Sequence, residues 1–172
     1  MKCKLITATA LLALLTFGCN EPDDGSYTAP ISIYEKIDGQ WNLASVKMVD
    51  EVAKANGVEP NEQNLSGFFN YEDFKIRFDV DAAGQPTSYE VLGDVPTLFP
   101  ANGYYQLSSP FQQPSGSAVR IHLFSDAQKT QKTDELRLTA VPGSAQEMEL
   151  QLVRTSSGTP FVSYVFRLTA SN

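Results

Sequence analysis

The side chains that most often perform chemistry in proteins are few in this sequence and widely separated. His122 is the only histidine, and the two cysteines, Cys3 and Cys19, both precede residue 20. A zinc site needs three or four His, Cys or carboxylate ligands together, and a hydrolytic triad needs a histidine beside an activated serine. No Gly-x-Ser-x-Gly segment supplies such a serine. His122 falls on the polar side of an alternating segment, so we expect a surface residue and predict neither an enzyme nor a cofactor.

One acidic segment has the spacing of a calcium loop. It runs from Asp79 through Asp81 to Glu90 at the twelfth place. The fifth place is Ala83, where calcium requires an oxygen ligand, and the flanking segments have strand patterns instead of helical ones. The segment is therefore predicted to be a hairpin turn, with no metal site.

Composition limits the remaining classes. The chain has 172 residues, a net charge of -7, 42% hydrophobic residues and 10% aromatic residues. This is typical of one globular domain and excludes a largely disordered chain. No basic block is present, and binding of nucleic-acid phosphates needs clustered Lys and Arg, so a nucleic-acid partner is not expected.

The N-terminus has the pattern of an export signal. Lys2 and Lys4 precede an apolar run, Leu5–Phe17, which is too short to span a bilayer. The run ends in Thr-Phe-Gly-Cys, which resembles the lipobox of bacterial lipoproteins. That resemblance implies a signal peptide over residues 1–18 and a lipid on Cys19; the alternative is an ordinary cleaved signal with an incidental cysteine. Loss of both lysines would change the net charge from -7 to -9 and leave no cysteine pair for a disulfide.

A polar tether is predicted over residues 19–32. It contains Glu21, Asp23 and Asp24, and its prolines and glycine disfavour regular structure. An acidic cluster after a lipidated cysteine resembles the surface-export signals of some Gram-negative lipoproteins, which implies an outer membrane lipoprotein on the cell surface or on the periplasmic face. The other interpretation is a solvated linker that holds the domain away from the membrane.

The remainder, residues 33–172, is dominated by a period of two. Apolar and polar residues alternate in four clear segments, and less regular strands and turn signals lie between them. The connections are too short for crossover helices. We therefore predict an all-β fold, an eight-stranded antiparallel up-and-down barrel. The predicted strands are 40–49, 74–80, 87–92, 104–108, 119–123, 135–140, 147–152 and 161–169.

An insertion over residues 50–73 interrupts this pattern. Its first part, residues 50–57, is predicted to form one or two helical turns that end at Gly57. Its second part carries Leu65, Phe68, Phe69 and Tyr71, so we expect it to pack and to cover one mouth of the barrel.

Gly39-Gln40-Trp41, after a short helical turn at residues 33–37, resembles the entry motif of lipocalins. The resemblance implies that Trp41 closes one end of the barrel and that Arg167 lies across it as a cation–π partner. Alternation favours a different position, because it turns Phe166 and Leu168 inward and Arg167 outward.

A wider resemblance covers most of residues 35–170. The chain resembles the lipocalin-like domains of unknown function in envelope lipoproteins of Gram-negative bacteria. The segments that carry the resemblance are 39–41, 73–78, 86–89, 96–100, 103–105 and 165–168. It implies a fold and a location, with no catalytic residue and no established ligand.

Two functions remain open on this basis. The first is a lipid-anchored, non-catalytic binding or accessory module for a small apolar molecule or a glycan, linked to nutrient uptake. The second is a structural or protein-interaction module with a filled core and an envelope protein as partner. Large inward residues favour a filled interior, at least at one end. The candidate binding residues are aromatic residues in or near long connections, which either bind ligand or close the barrel ends: Phe68, Phe69, Tyr71, Phe99, Tyr104, Tyr105 and Phe111.

Overall fold

The structure, a computed structural model, describes residues 29–171. Helix α1 (Ile33–Ile37) precedes the first strand, helix α2 (Glu51–Ala55) follows it, and a 3-10 helix spans Tyr71–Asp73. The strands are β1 (Gly39–Asp50), β2 (Glu62–Asn64), β3 (Lys75–Val80), β4 (Pro86–Leu92), β5 (Asn102–Leu107), β6 (Val119–Phe124), β7 (Lys132–Ala140), β8 (Glu147–Ser156) and β9 (Thr159–Ala170).

The antiparallel sheet closes on itself through β1. One edge of this strand pairs with β9 from Trp41 to Asp50, with a bulge between Leu43 and Ser45. The other edge pairs first with β3, over Gly39–Asn42, and further along with β2. The result is the predicted closed barrel of eight antiparallel strands. The ninth strand, β2, was not predicted, because its three residues are all exposed and show no alternation.

The barrel interior is filled by side chains. Ile76, Phe78, Tyr105 and Leu152 each have 0% of their surface accessible. A side chain that lined a water-sized cavity would retain accessible surface, so no ligand space exists beside these residues. The alternating segments supply this core as predicted, because period two sends every second side chain inward. Other inward residues with at most 4% exposure include Trp41, Val46, Phe74, Tyr89, Leu107, Val119, Ile121, Leu123, Leu136, Leu138, Met148, Leu150, Phe166 and Leu168.

The short helix α1 closes one end of the barrel, called here the helical end. Ser32 and Glu35 form a capping box, in which each side chain binds the backbone N–H of the other residue. Ile33 and Ile37 are buried, and the Trp41 indole N–H donates to the Ile37 carbonyl at 2.8 Å. The helix is therefore connected both covalently and by this hydrogen bond to the start of β1.

Two long connections close the opposite end, called here the loop end. The insertion buries Leu65 and Tyr71, as predicted for a packed segment, and the β4–β5 loop (residues 93–101) buries Phe99. The Phe99 ring lies edge-on to Phe166 with centroids 6.2 Å apart, and Phe74 stacks on Phe166 at 5.4 Å. Both mouths of the barrel are thus covered.

Side-chain hydrogen bonds to carbonyl groups fasten the β4–β5 loop. The Tyr89 hydroxyl donates to the Pro100 carbonyl at 3.0 Å, and the Tyr71 hydroxyl donates to the Pro96 carbonyl at 3.3 Å. Arg154 points into this end of the barrel, donates to the Leu98 carbonyl and forms an ion pair of 3.0 Å with Asp134. Burial raises the pKa of Tyr89 to about 12, and the nearby Asp134 carboxylate adds to this shift.

Candidate functional site

The seven aromatic candidates fall into three groups. Tyr71, Phe99 and Tyr105 are at most 6% exposed and belong to the core, so they close the barrel and are not available to a ligand. Tyr104 lies half-buried on the outer wall of β5. Only Phe68, Phe69 and Phe111 are exposed, at 54%, 65% and 45%.

Phe68 and Phe69 form an exposed aromatic pair at the loop end. Their ring centroids are 6.4 Å apart, and Phe69 lies edge-on to the buried Tyr71. Phe69 and Asn70 both adopt left-handed backbone conformations, with φ of 57° and 59°. This conformation is unfavourable for a bulky residue such as phenylalanine and persists only where the surrounding structure imposes it. Here the turn is held by a hydrogen bond from the Tyr71 N–H to the Phe68 carbonyl at 3.1 Å.

An open groove of about 740 Å³ lies at the helical end, between α1, the β3–β4 turn and the start of the β5–β6 connection. Its floor contains the buried side chains of Tyr34 and Leu107, and the Tyr34 hydroxyl accepts the Leu107 N–H at 3.0 Å. Polar side chains and Phe111 make up the remaining surface. The lining residues are Ser32, Tyr34, Glu35, Ala82, Ala83, Gly84, Gln85, Gln106, Leu107, Ser108, Pro110 and Phe111.

Local hydrogen bonds position Phe111 at the rim of this groove. The Ser109 hydroxyl donates to the Phe111 carbonyl at 2.8 Å and accepts the Phe111 N–H at 3.2 Å. The Gln113 amide also donates to Ser109 at 2.7 Å. The exposed ring thus extends from a backbone segment that is held in one conformation.

The barrel-closing residues are only partly where the resemblance placed them. Trp41 is 3% exposed and packs at the helical end, and Gly39 has a φ of 101°, a conformation that favours glycine. Arg167 does not lie across Trp41. It stands opposite Ser45 in the sheet, its side chain is 68% exposed, and it pairs with Glu149 on the outer wall at 3.2 Å. The alternation of β9 therefore decided its direction.

His122 lies half-buried on the outer wall, as its position in an alternating strand predicted. Its Nδ1 is 3.2 Å from a Glu135 carboxylate oxygen. Burial and the nearby charge of Lys132 lower the pKa of His122, against the opposing effect of Glu135. Within residues 29–171 no three His, Cys, Asp or Glu side chains converge as a metal site.

The segment with calcium-loop spacing forms a tight turn between β3 and β4. The Asp81 carboxylate accepts the backbone N–H groups of Ala83 and Gln85, both at 2.9 Å. Asp79 accepts the Ser88 hydroxyl, and Glu90 pairs with Arg77. These carboxylates stabilise the hairpin turn that the sequence predicted here.

Cys19, the signal peptide and most of the tether lie outside the described residues. In the part of the chain that the structure describes, no helix has the length and apolar character needed to cross a bilayer.

A family model for a domain of unknown function, DUF5004, matches residues 17–169. This chain belongs to the DUF5004 family. No curated protein matches it. The DUF5004 match begins near Cys19 and ends one residue before the end of β9, so it includes nearly the whole barrel.

Proposed function

We propose that this protein is a lipid-anchored, non-catalytic binding module that takes a glycan in the groove at the helical end. The observation that carries the proposal is the contrast between a filled barrel and an open, polar groove of about 740 Å³ beside it. Ligand sites are usually concave surfaces with convergent polar groups. Since no space exists beside the core side chains, recognition takes place on the outside.

The groove favours a glycan over an apolar small molecule. Gln85, Gln106 and Ser108 are exposed along its walls and offer donors and acceptors to sugar hydroxyl groups. Phe111 provides a flat apolar face of the kind that packs against a sugar ring. An apolar ligand would need an enclosed pocket that removes it from water, and this groove is open to solvent.

Binding to an array of neutral and acidic glycans would test this proposal on residues 20–172. Phe111→Ala should weaken glycan binding at least tenfold, because it removes the apolar surface at the rim. Phe161→Ala is the matched control: Phe161 is also 45% exposed but lies on β9, outside the groove. Equal losses in the two variants, or no glycan bound at all, would contradict the proposal.

The absence of catalysis is part of the same proposal. It is supported by the lack of a histidine–serine or carboxylate pair among the groove residues, where Glu35 is the one carboxylate. The Glu35 carboxylate is already engaged through one oxygen, because Oε2 accepts the Ser32 N–H at 2.7 Å and the Ser32 hydroxyl at 2.8 Å. Prolonged incubation with a bound glycan should yield no shorter product by mass spectrometry; a new reducing end would contradict this part.

The membrane anchor is proposed at Cys19, on the basis of the lipobox-like segment and the acidic tether. Cys19→Ser should move the protein from the membrane fraction to the soluble fraction, and Cys3→Ser should leave it on the membrane. Retention of the Cys19 variant on membranes would refute lipidation there. Digestion of intact cells with an added protease would then distinguish display on the cell surface from the periplasmic face of the outer membrane.

A protein-interaction role is the second candidate, and the exposed Phe68–Phe69 pair favours it. A strained turn that exposes two aromatic rings opposes local preference, and such conflicts often mark functional surfaces. A photo-crosslinking residue at position 69 should give one discrete adduct in cells, and the same residue at position 161 should give none. An adduct of twice the protein's mass would identify a second copy as the partner; no adduct would exclude this role for the pair.

A further inference from the structure

The outer wall of β6 and β7 carries an excess of positive charge in a chain that is acidic overall. The basic wall, as we call it, consists of Arg120, His122, Lys132 and Arg137 around Glu135. The Glu135 carboxylate is 3.2 Å from Arg120 Nη1, 3.2 Å from His122 Nδ1, and in contact with Lys132. One carboxylate thus serves three basic partners, whereas the whole chain has a net charge of -7.

The fourth member of the basic wall has no such partner. Arg137 stands directly opposite Arg120 in the β6–β7 pairing, on the same outward face. Like charges at directly opposed positions repel each other and destabilise a sheet. Arg137 forms no ion pair with any residue from 29 to 171. Two arginines are therefore paired across β6 and β7, and the neighbouring carboxylate, Glu135, already pairs with Arg120 and Lys132.

The basic wall is continuous with the groove at the helical end. Gln106, which lines the groove, is paired with His122 across β5 and β6. Ser108, which also lines the groove, accepts the Arg120 backbone N–H at 3.0 Å. Since neighbouring strands lie about 4.8 Å apart, Arg120 on β6 begins about one strand's width from the groove edge on β5, and Arg137 on β7 begins about two. A ligand seated in the groove can reach them.

A further cation lies on the opposite side of β5. Lys129 reaches from the β6–β7 turn to the Pro86 carbonyl, at 2.6 Å, beside the groove residue Gln85. The acidic groups near the groove are engaged locally: Glu35 caps α1, and Asp81 accepts N–H groups of its own turn. Cations therefore lie beyond both sides of the groove: Arg120 on the β6 side, and Lys129 on the β4 side, where its ammonium group already donates to the Pro86 carbonyl.

We propose that the glycan bound by this protein is acidic, and that Arg120 and Arg137 bind its carboxylate groups. This inference rests on the proposed glycan-binding function and names the substrate class of the same site. The planar guanidinium group matches a carboxylate with two parallel hydrogen bonds, which a neutral sugar cannot provide. Phe111 and Gln106 contact the neutral part of the bound glycan, and a uronate residue of the glycan on the β6 side contacts the two arginines.

The experiment compares polygalacturonate with the same polymer in its fully methyl-esterified form. Calorimetry on residues 20–172 should show at least tenfold tighter binding of the charged polymer, with the preference lost at high salt. Arg120→Gln with Arg137→Gln should abolish the preference while leaving binding of the esterified polymer unchanged. Lys47→Gln with Arg167→Gln is the matched control, since it removes the same charge elsewhere on the outer wall and should change neither affinity.

The outcomes separate this inference from the function on which it rests. Equal affinity for the two polymers, with Phe111→Ala still weakening both, overturns the acidic class and keeps glycan binding. Equal losses in the arginine variant and in its control show attraction by overall charge and also overturn it. Failure of both polymers and of neutral glycans to bind overturns the inference together with the proposed function. Circular dichroism of each variant establishes that the barrel is intact.

Discussion

The two ends of the barrel are closed in different ways. At the helical end a five-residue helix, α1, covers the mouth, and its contact with Trp41 spans four positions of sequence. At the loop end the cover is assembled from the insertion, the β4–β5 loop and Arg154 of β8, which are distant in sequence. Closure of the helical end, by a segment adjacent in sequence, depends on helix capping and apolar burial. Closure of the loop end, by segments distant in sequence, depends in addition on polar side chains that donate hydrogen bonds to the carbonyl groups of the covering loop.

The same two ends also expose different chemistry. The helical end exposes amide and hydroxyl groups around a single exposed ring, that of Phe111. The loop end exposes two neighbouring rings, Phe68 and Phe69, on a strained turn. A polar groove suits a hydrated ligand such as a glycan, and an apolar pair suits another protein surface. The comparison therefore assigns the two candidate functions to separate regions, which can be altered independently.

The largest expected effect is at the helical end. Trp41→Ala should lower the free energy of unfolding by about 3–5 kcal/mol, because it leaves a cavity in a filled core and removes the bond to Ile37. Phe68→Ala at the loop end should change it by less than about 0.5 kcal/mol, since that ring is exposed. Urea unfolding of both variants measures the difference; similar losses would mean that Phe68 also stabilises the fold.

Alanine substitutions at two glycines, one at each end of the barrel, compare how tightly the turns there are packed. At the loop end, Gly93 has a φ of 101°, and an added Cβ would lie 2.3 Å from the Asp73 carbonyl oxygen. Gly93→Ala should therefore cost about 2–4 kcal/mol, from strain and overpacking together. At the helical end, Gly84 has a φ of 70° but no atom nearer than 3.9 Å, so Gly84→Ala should cost only about 1–2 kcal/mol. Thermal unfolding of the two variants orders them, and the reverse order would contradict the packing described for the β4–β5 loop.

The polar fastening of the loop end is tested by Arg154→Met. This change keeps apolar volume but leaves Asp134 and the Leu98 carbonyl without their partner, at a cost of about 1–3 kcal/mol. Hydrogen exchange should accelerate in residues 93–101, because Arg154 bonds to the Leu98 carbonyl of that loop. It should stay unchanged in α1, because neither Leu98 nor Asp134 belongs to that helix. Acceleration at both ends would show that the closures are coupled.

The smallest effect is expected at Phe69, and its sign is opposite. Phe69→Asn should stabilise the fold by up to about 1 kcal/mol, because asparagine tolerates the left-handed conformation that phenylalanine resists. Thermal unfolding would detect the gain. A loss of stability would mean that the ring of Phe69 contributes to packing on Tyr71.

Alkaline titration adds a test that compares buried tyrosines of both ends. Burial raises the pKa of Tyr89 to about 12 and raises that of Tyr105 as well. A raised pKa in the folded state stabilises the protein below the unfolded value of about 10, and this stabilisation is lost as pH rises through about 12. Phenolate absorbance should therefore appear together with unfolding for these residues. Full ionisation below pH 10 in the folded protein would contradict their burial.

Much of the barrel was predictable from alternation alone. Segments such as Phe74–Val80 and Met148–Leu152 place large apolar side chains at every second position, and one buried face follows directly from the geometry of a strand. The same rule turned Arg167 outward and His122 to the surface. Where the family resemblance and the alternation disagreed, at Arg167, the alternation was correct, because pleat geometry leaves no choice of face once the neighbours are buried.

The candidate site was less predictable. Sequence marked Phe68, Phe69 and Phe111 as loop aromatics but could not separate them from Tyr71, Phe99 and Tyr105, which are buried. Gln85, Gln106 and Ser108 carried no signal, because their meeting in one groove depends on the β3–β4 turn and the end of β5 being brought beside α1. Register alone placed Arg120 opposite Arg137.

By itself, the sequence determined the eight barrel strands, their inward faces and the caps of α1, because each of these depends on residues only a few positions apart. The tertiary structure alone decided which aromatic rings remain exposed, which polar side chains share the groove, and that two arginines stand opposed on the wall. Those relations join residues that are distant along the chain, and only strand pairing and barrel closure set the distances between them.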